Sequence, residues 1–334
     1  MKARGKSVKL VSAEATTARQ PLGSKQLVIG VDGGGTKTRA IVVDERERVL
    51  GEGLAGPSNP LRVGVGAAVS AVREAVDRAC AAARVSRLDV VSAEVGLAGA
   101  RRADLRKRMR EELLSLGIGT LEVVSDSDIA LYGATEGKPG LVVIAGTGSI
   151  CCGSNARGRH ACAGGWGPVV GDEGSGSWIA RRGLQAAAKA TDGRGSQTSL
   201  TKAACKYFNV SSAIDLSTAV YAPNMTNDRI AGFARHVIEC ARKRDAASRE
   251  IVAEAGRELG AAAVAVIREL RMERESFPLG YVGGVFEAGD LVLVPLRKEV
   301  VRVAPKARLS QPLIDPAEAA ARIAREHLQL ALAG

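Results

Sequence analysis

The segment Leu27-Val-Ile-Gly-Val-Asp32-Gly33-Gly34-Gly35-Thr36-Lys37-Thr38 decides the fold of this 334-residue chain. An apolar run of strand length ends at Asp32, and three consecutive glycines follow it. Backbone N–H groups that converge in a glycine turn bind phosphate well, because no side chain stands in the way. Thr36 and Thr38 would add hydroxyl donors, and Lys37 would add positive charge. The segment predicts a phosphate-binding turn, although an ordinary β-hairpin with a glycine turn explains it equally well when it is read alone.

Two familiar nucleotide-binding motifs do not occur in the sequence. It contains no Gly-x-x-x-x-Gly-Lys-Ser/Thr P-loop, and no Gly-x-Gly-x-x-Gly opens a helix after the first strand. The glycine turn is instead followed by apolar runs at 39–44 and 49–54, which predict two further strands. The sequence therefore predicts a β-meander whose first turn binds phosphate.

The same design begins again at residue 140. The apolar run 140–145 is followed by Gly146-Thr147-Gly148-Ser149, and further strands are predicted at 150–155 and 160–163. Helical periodicity follows each meander. Two α/β units that face each other across a cleft would bring both glycine turns to one ligand, as is common at domain interfaces.

The remaining apolar patterns predict alternating helices and strands. Helices are predicted at 66–83, 103–116, 126–135, 178–191, 229–271 with a break near Arg244, and 315–333. Strands are predicted at 89–97, 121–124 and 278–282.

Composition indicates a globular protein without a membrane span. Hydrophobic residues make up 46% of the chain and charged residues 25%, and no apolar run approaches the ~20 residues that a spanning helix needs. The net charge is +11, and much of that excess lies in residues 1–26, which we expect to be a basic, disordered tail outside the fold. Because no aromatic residues are interleaved with the basic ones, we expect no nucleic-acid binding.

The six cysteines do not form a metal-binding pattern. They lie at positions 80, 151, 152, 162, 205 and 240, without a Cys-x-x-Cys pair, and the chain has only three His. Zinc sites need closely spaced Cys and His ligands. We expect these cysteines to be small, reduced core residues in a cytoplasmic protein.

Several motifs together resemble one known family. The segments Asp32–Thr38, Ala145–Ser149 and Gly164-Gly-Trp-Gly-Pro-Val-Val-Gly-Asp172-Glu-Gly-Ser175 are similar to the N-acetylglucosamine kinase branch of the BadF-type ATPases. That branch belongs to the superfamily of actin, hexokinases and sugar kinases. Val282-Gly-Gly-Val-Phe286 resembles the adenosine-binding turn of that superfamily. The resemblance implies an α/β fold of two ribonuclease-H-like, actin-like ATPase domains around a central cleft.

The resemblance also implies domain bounds and an activity. One domain would be 27–139 with the returning helix of 312–334, and the other would be 140–311. The activity would be ATP-dependent phosphorylation of the 6-hydroxyl of an amino sugar, most simply N-acetylglucosamine, with Mg²⁺, by a homodimer. Glucosamine or a range of hexoses would be alternative substrates. A different class, the ATPase activators of radical dehydratases, holds a shared iron–sulfur cluster through cysteines that do not match the arrangement of this chain.

The two glycine turns and the adenosine turn would bind ATP. The residues implied are Gly33, Gly34, Gly35, Thr36, Lys37, Thr38, Gly146, Thr147, Gly148, Gly283 and Gly284.

Two aspartates would carry the chemistry. Asp126 matches the general base of the family, which opens a helix after the last strand of the first domain; a helix N-cap explains an Asp there equally well. Asp128 would be structural, in the first turn of that helix. Asp32 stands so close to the phosphate turn that a cation between them is needed, and Mg²⁺ is therefore implied there.

The sugar would be bound by residues from both halves. Asn59, in Gly56-Pro-Ser-Asn-Pro60, and Asp172 match sugar-binding positions of the family. Asp126, Gly146 and Thr147 would also contact the sugar.

Overall fold

The computed structural model describes residues 26–333, so the predicted tail of residues 1–26 lies outside the described chain except for Gln26. A first five-stranded sheet has the order β3-β2-β1-β4-β5. Its strands are β1 (Leu27–Gly33), β2 (Thr38–Val43), β3 (Val49–Ala55), β4 (Val90–Leu97) and β5 (Thr120–Ser125). The antiparallel meander β1-β2-β3 forms one side, and β4 and β5 run parallel to β1 on the other.

A second five-stranded sheet repeats this topology, with the order β10-β9-β6-β7-β8. Its strands are β6 (Gly140–Ala145), β7 (Ser149–Ser154), β8 (His160–Gly164), β9 (Pro278–Val282) and β10 (Arg308–Ser310). The meander β6-β7-β8 is antiparallel, while β9 is parallel to both β6 and β10. The predicted α/β fold with an internal architectural repeat is confirmed.

Twelve α-helices of the described residues surround the sheets. They are α1 (Pro60–Val63), α2 (Val65–Ala83), α3 (Ala103–Leu113), α4 (Asp126–Thr135), α5 (Gly176–Thr191), α6 (Leu200–Phe208), α7 (Leu216–Val220), α8 (Asn227–Gly232), α9 (Ala234–Arg242), α10 (Ala246–Leu270), α11 (Asp290–Val303) and α12 (Pro316–Ala333). None of these helices has the length and apolar character that crossing a membrane requires.

The first sheet is covered on both faces. Helix α2 packs on one side, and α12 returns from the end of the chain to pack on β1 and β4. A Cβ atom at Gly30 would lie 2.0 Å from the carbonyl oxygen of Ala317, so α12 approaches β1 at backbone distance. Small buried residues, Ala317, Ala321 and Ala324, make that approach possible. The alanine-rich terminal segment therefore belongs to the core of the first sheet.

Helix α4 contacts both halves of the molecule. It follows β5 of the first sheet, packs on α12, and also packs on β6 and β9 of the second sheet. A Cβ atom at Gly280 would lie 2.4 Å from the Cβ of Ala134, which shows how closely α4 and β9 pack. Because Asp126 is the first residue of this helix, the junction of the two halves positions it.

The long helical segment after residue 229 breaks where the sequence indicated. Arg244 adopts a left-handed conformation with φ of 68°, and Asp245 caps α10 by accepting a hydrogen bond from the Ser248 N–H at 2.9 Å. Helix α11 was not predicted, because Pro295 in its middle is unfavourable for a helix. The three-residue strand β10 is too short to give an apolar pattern.

The expectation that all the cysteines are reduced is wrong for one pair. Cys152 on β7 and Cys162 on β8 lie opposite each other in the antiparallel register and form a disulfide. Cys80, Cys151 and Cys240 are free and buried, as predicted.

Candidate active site

The first glycine turn leaves several backbone donors free. The Gly34 N–H donates to the Lys37 carbonyl at 2.9 Å, and the Ser58 N–H donates to the Gly34 carbonyl at 3.0 Å. Within the described chain, the N–H groups of Gly35, Thr36 and Lys37 have no hydrogen-bond acceptor. The Thr36 and Lys37 side chains are exposed beside them. This geometry suits an anion that accepts several hydrogen bonds at once.

Two predicted phosphate contacts lie behind this turn instead. Thr38 is fully buried, and its hydroxyl lies 2.7 Å from the Gly56 carbonyl and 2.8 Å from the Ser58 hydroxyl. A Cβ atom at Gly33 would lie 2.3 Å from the Ser58 hydroxyl oxygen. Both residues therefore support the turn from the core side, which corrects the expectation that the Thr38 hydroxyl faces phosphate.

The second glycine turn is attached to helix α5. The N–H groups of Gly176 and Ser177 donate to the carbonyls of Gly146 and Thr147 at 2.8 and 3.2 Å. The Ser177 hydroxyl donates to the Thr147 carbonyl at 2.6 Å. Only the Thr147 and Gly148 N–H groups remain without an acceptor among the described residues of this turn. The carbonyls of the turn thus occupy the helix N-terminus that would otherwise attract an anion.

The predicted adenosine turn lies against the second glycine turn. Because β6 and β9 are neighbouring parallel strands, the residues after them lie side by side. Gly283 has φ of 115°, and a Cβ atom there would lie 2.3 Å from the Ala145 carbonyl oxygen. Only glycine combines this conformation with so close an approach. Gly284 is exposed, so its backbone is accessible to a ligand.

Asp126 does not cap helix α4, although its position in the sequence allowed that role. The N-cap of α4 is Ser125, whose hydroxyl accepts a hydrogen bond from the Asp128 N–H, while the Asp128 carboxylate accepts one from the Ser125 N–H at 3.0 Å. Asp128 is therefore structural in the described chain. The Asp126 carboxylate accepts a hydrogen bond from the Ser127 N–H at 3.0 Å. Burial raises the pKa of Asp126 above its usual range, and the negative charge of Asp128 adds to this effect.

Asp32, at the end of β1, is electrostatically coupled to Asp126. Burial, together with the negative charges of Asp126 and Asp315, raises the pKa of Asp32 to about 6. Its carboxylate accepts no hydrogen bond from the described residues. Two partly buried carboxylates near the first glycine turn fit a hard cation, which prefers oxygen ligands.

A cation at Asp32 would need ligands from outside the protein. Among residues 26–333, no group of three or more His, Cys, Asp or Glu is arranged to hold a metal ion. Mg²⁺ usually keeps several waters and takes few carboxylates when it accompanies phosphates. The donor set around Asp32 fits that mode of binding.

The two predicted sugar residues lie in different halves. The Asn59 side chain accepts a hydrogen bond from the Leu61 N–H at 3.0 Å and caps α1. Gly99 packs so closely on it that a Cβ atom would lie 2.4 Å from the Asn59 side-chain oxygen. Asp172 is buried with φ of 59°, a strained conformation for a residue with a side chain. A Cβ atom at Gly148 would lie 2.8 Å from its carboxylate, so Asp172 adjoins the second glycine turn.

Two arginines that sequence reasoning missed join the halves across the cleft. Arg101 donates a hydrogen bond to the Gly164 carbonyl at 3.2 Å, and its positive charge partly opposes the rise in the pKa of Asp126. Arg62 forms an ion pair with Asp228, and its guanidinium also lies against Gly35 of the first turn. The only sequence signal for Arg62 was its proximity to Asn59, and Arg101 follows β4 without any motif.

Comparisons with known proteins identify the family of the chain. Residues 29–324 match the BadF/BadG/BcrA/BcrD ATPase family, and the chain belongs to that family. It is 35% identical over 299 residues to the N-acetylmuramic acid/N-acetylglucosamine kinase of Clostridium acetobutylicum, covering 89% of this chain and 98% of that protein. It is 32% identical over 314 residues to the N-acetyl-D-glucosamine kinase of Dictyostelium discoideum, covering 90% of this chain and 98% of that protein. The resemblance found in the sequence is confirmed.

Solved structures show the same fold. A candidate N-acetylglucosamine kinase from Chromobacterium violaceum superposes with a TM-score of 0.74 at 28% identity, over 90% of this chain and 99% of that one. A ROK family glucokinase from Streptomyces griseus, solved with glucose and AMPPNP, superposes with a TM-score of 0.57 at 23% identity, over 90% of this chain and 99% of that one. The second likeness concerns the fold alone.

Proposed function

We propose that this chain is an ATP-dependent amino-sugar kinase that phosphorylates the 6-hydroxyl of N-acetylglucosamine. The observation that carries the proposal is Asp126. It is partly buried between the two halves, its pKa is raised, and Ser125 performs the capping role that would otherwise explain it. A carboxylate with a raised pKa is suited to accept a proton from an acceptor hydroxyl at neutral pH.

The two glycine turns would hold the phosphates of ATP. The free N–H groups of Gly35, Thr36 and Lys37 would bind phosphate oxygens from the first half, and Lys37 would add charge. Those of Thr147 and Gly148 would do so from the second half. Gly283 and Gly284 would let the adenosine approach the backbone. In phosphoryl transfer such positioning and charge stabilisation provide most of the catalysis.

Asp32 would hold Mg²⁺ through water. When bound, Mg²⁺ would neutralise the negative charge of the phosphates. Asp126 would orient the sugar hydroxyl and accept its proton, so the two carboxylates have separate tasks. Asn59 and Asp172 would hydrogen-bond sugar hydroxyls from opposite sides of the cleft, together with Gly146 and Thr147. Closure of the halves would exclude water and limit wasteful ATP hydrolysis.

The decisive experiment is Asp126→Asn. We expect kcat to fall by about 10²–10⁴ because the proton acceptor is lost, while ATP and sugar binding are retained. Asp128→Asn is the matched control. The Asn side-chain oxygen can still accept the hydrogen bond from the Ser125 N–H in the capping box, so we expect that variant to keep most of its turnover. Near-normal kcat in Asp126→Asn, measured by coupled ADP release, would remove Asp126 from the mechanism.

The choice of sugar needs a separate measurement. Glucosamine and a range of hexoses are the alternative substrates, and a protein 32% identical over 184 residues is the glucosamine kinase of Vibrio cholerae. We propose N-acetylglucosamine because the two relatives covered almost completely by this chain both carry that sugar in their names. ADP release with N-acetylglucosamine, glucosamine, glucose and N-acetylmuramic acid would rank them. ATP turnover that ignored every sugar would contradict the kinase assignment.

The proposal includes an organisation for the whole chain. The domains would be 27–139 with 312–334, and 140–311, since α12 packs on the first sheet. A homodimer in the cytoplasm is the form in which we propose that the enzyme works. Light scattering on the purified protein would test the dimer, and cell fractionation would test the location.

A further inference from the structure

A cavity lies away from the residues that are proposed to bind the sugar and the nucleotide. Its volume is about 740 Å³, and β4, α4, α12 and the turn between β7 and β8 form its walls. That turn is at the opposite end of β7 from Gly146–Ser149. The cavity, here called the hinge cavity, is thus built from both halves of the molecule. None of the residues assigned above to ATP or sugar lines it.

Glu94 is the unusual residue of the hinge cavity. It points from β4 into the interior with only 1% of its side chain exposed, and neither carboxylate oxygen accepts a hydrogen bond within residues 26–333. His327 Nδ1 approaches one oxygen to 3.3 Å, without the geometry of a hydrogen bond. An unpartnered buried carboxyl costs free energy that a bound donor would recover.

The charges around the hinge cavity favour a cation. The carboxylates of Asp128 and Glu326 and the carboxyl group of Glu94 line it, whereas no Lys or Arg does. This is unusual in a chain with 47 Lys and Arg against 36 Asp and Glu. Val124, Leu131 and Ile323 form an apolar part of the wall, which suits the hydrocarbon part of a ligand. The remaining polar groups include His160, Tyr132 and Asn155.

We propose that the hinge cavity binds a small organic cation, a protonated primary amine on a short carbon chain, with Glu94 as its anionic partner. A charge-assisted hydrogen bond from the ammonium group supplies the donor that Glu94 lacks. The carbon chain packs on the apolar wall. Because the walls come from both halves, a bound amine connects the halves at the side where α4 joins them, and it changes the ease of cleft closure.

The protonation of Glu94 agrees with this assignment. Burial raises the pKa of Glu94 to about 8, and the charges of Glu122 and Asp128 contribute to the rise. An ammonium group beside it favours the ionised form, so amine binding releases a proton at neutral pH. The titratable groups that face Glu94 or line the cavity are Glu122 on β5, Asp128 and Tyr132 on α4, Glu326 and His327 on α12, and His160 on β8.

Isothermal titration of the full chain with putrescine tests the proposal, with 1,4-butanediol as the uncharged analogue. We expect putrescine to bind with proton release, seen as a buffer-dependent enthalpy, and butanediol not to bind. Glu94→Gln should weaken putrescine binding at least tenfold, because the ammonium group then meets a neutral amide oxygen instead of a carboxylate. Glu122→Gln is the matched control. Its carboxylate is the register partner of Glu94 on β5 but is exposed and paired with Arg110 at 3.0 Å, so affinity should stay within about twofold.

A second variant protects the test against misfolding of Glu94→Gln. Ala156 is an exposed cavity residue in the turn between β7 and β8, so Ala156→Lys adds a tethered ammonium group without disturbing the core. We expect Ala156→Lys to abolish putrescine binding. Absence of binding to the wild-type chain, or binding with wild-type affinity by both Glu94→Gln and Ala156→Lys, would overturn the proposal.

The source of the amine is distinguished by a parallel titration with glucosamine. If Glu94→Gln no longer binds glucosamine, the amino sugar is the occupant of the hinge cavity. If Glu94→Gln still binds glucosamine, the sugar is bound in the cleft between the two halves. These readouts do not require kinase activity, so they remain interpretable if the proposed function fails.

Discussion

The two glycine turns occupy equivalent places in their sheets but are held in different ways. The turn at Gly34–Lys37 is closed by one internal hydrogen bond and one from Ser58, and three consecutive N–H groups have no acceptor among residues 26–333. In the turn at Gly146–Ser149, the carbonyls of Gly146 and Thr147 accept hydrogen bonds from the first N–H groups of α5, and the turn lies beneath Gly283. The two turns therefore differ in how well they tolerate substitutions, although their positions in the sheets are equivalent. Changes in the first turn should alter binding, whereas changes around the second should alter stability.

The largest expected effect is that of Gly283→Ala. The new Cβ would lie 2.3 Å from the Ala145 carbonyl oxygen, in a residue with φ of 115°. Strain and overpacking together should lower the free energy of unfolding by about 3 kcal/mol. Urea denaturation measures this loss.

Gly284→Ala is the control for that substitution. Its Cβ would meet nothing closer than the Glu287 carboxylate oxygen at 3.9 Å, so its stability should change by no more than about 0.5 kcal/mol. Equal stability of the two variants would mean that the close approach of Gly283 to the second glycine turn does not constrain residue 283.

Lys37→Ala should affect binding and not stability. Lys37 is exposed and forms no ion pair among the described residues, while the proposed contact with ATP phosphates is charge-assisted. We expect KM for ATP to rise by about tenfold to a hundredfold, with an unchanged unfolding midpoint.

Thr38→Val on the core side of the same turn should behave in the opposite way. The loss of its hydroxyl, which contacts the Gly56 carbonyl and the Ser58 hydroxyl, should cost about 1 kcal/mol of stability. If Lys37→Ala and Thr38→Val both changed KM for ATP, or both changed stability, then the exposed and core sides of the turn would not have the separate roles proposed for them.

The smallest expected effect is a pH dependence of stability that arises from Asp32, beside the first turn. The pKa of Asp32 is raised from 3.8 to about 6, so ionising Asp32 costs free energy in the folded state. Without added metal, this cost is absent below the unfolded pKa, grows as pH rises from about 4 to about 6, and is constant above. Asp32→Asn should therefore become more stable relative to the wild type across that window, by about 1 kcal/mol after solvent screening.

Thermal unfolding at several pH values, with a chelator present, would measure the difference. A stability difference between Asp32→Asn and the wild type that did not change between pH 4 and 6 would contradict a raised pKa. Added Mg²⁺ should reduce the advantage of the variant, because only the wild type has the carboxylate.

The sequence predicted the strands of both meanders because their apolar runs are bounded by glycines and charged tips. The run at 27–32, for example, ends within one residue of β1. Helix α11 was missed because Pro295 opposes local helix formation, and packing on α10 overrides that preference. The local sequence pattern thus predicted those strands and helices whose local conformational preference agrees with their packing in the fold.

Pairs distant in sequence could not be predicted in the same way. The Arg62–Asp228 and Arg101–Gly164 contacts exist only because folding brings the halves together, and neither partner carries a local signal. The Cys152–Cys162 disulfide depends on the register of β7 and β8. Sequence motifs indicated Asp126 and Asp32, but the identity of Ser125 as the cap, which separates the two interpretations of Asp126, needed the structure.

The contacts of α4 have a consequence for motion. A helix that packs on both sheets lies near the axis of any rotation of one half against the other, and points near an axis are displaced least. Asp126 begins this helix, so we expect its carboxylate to stay almost stationary while the outer rims of the cleft travel several times farther. The proton acceptor would then be a fixed reference to which the moving phosphate turn is brought.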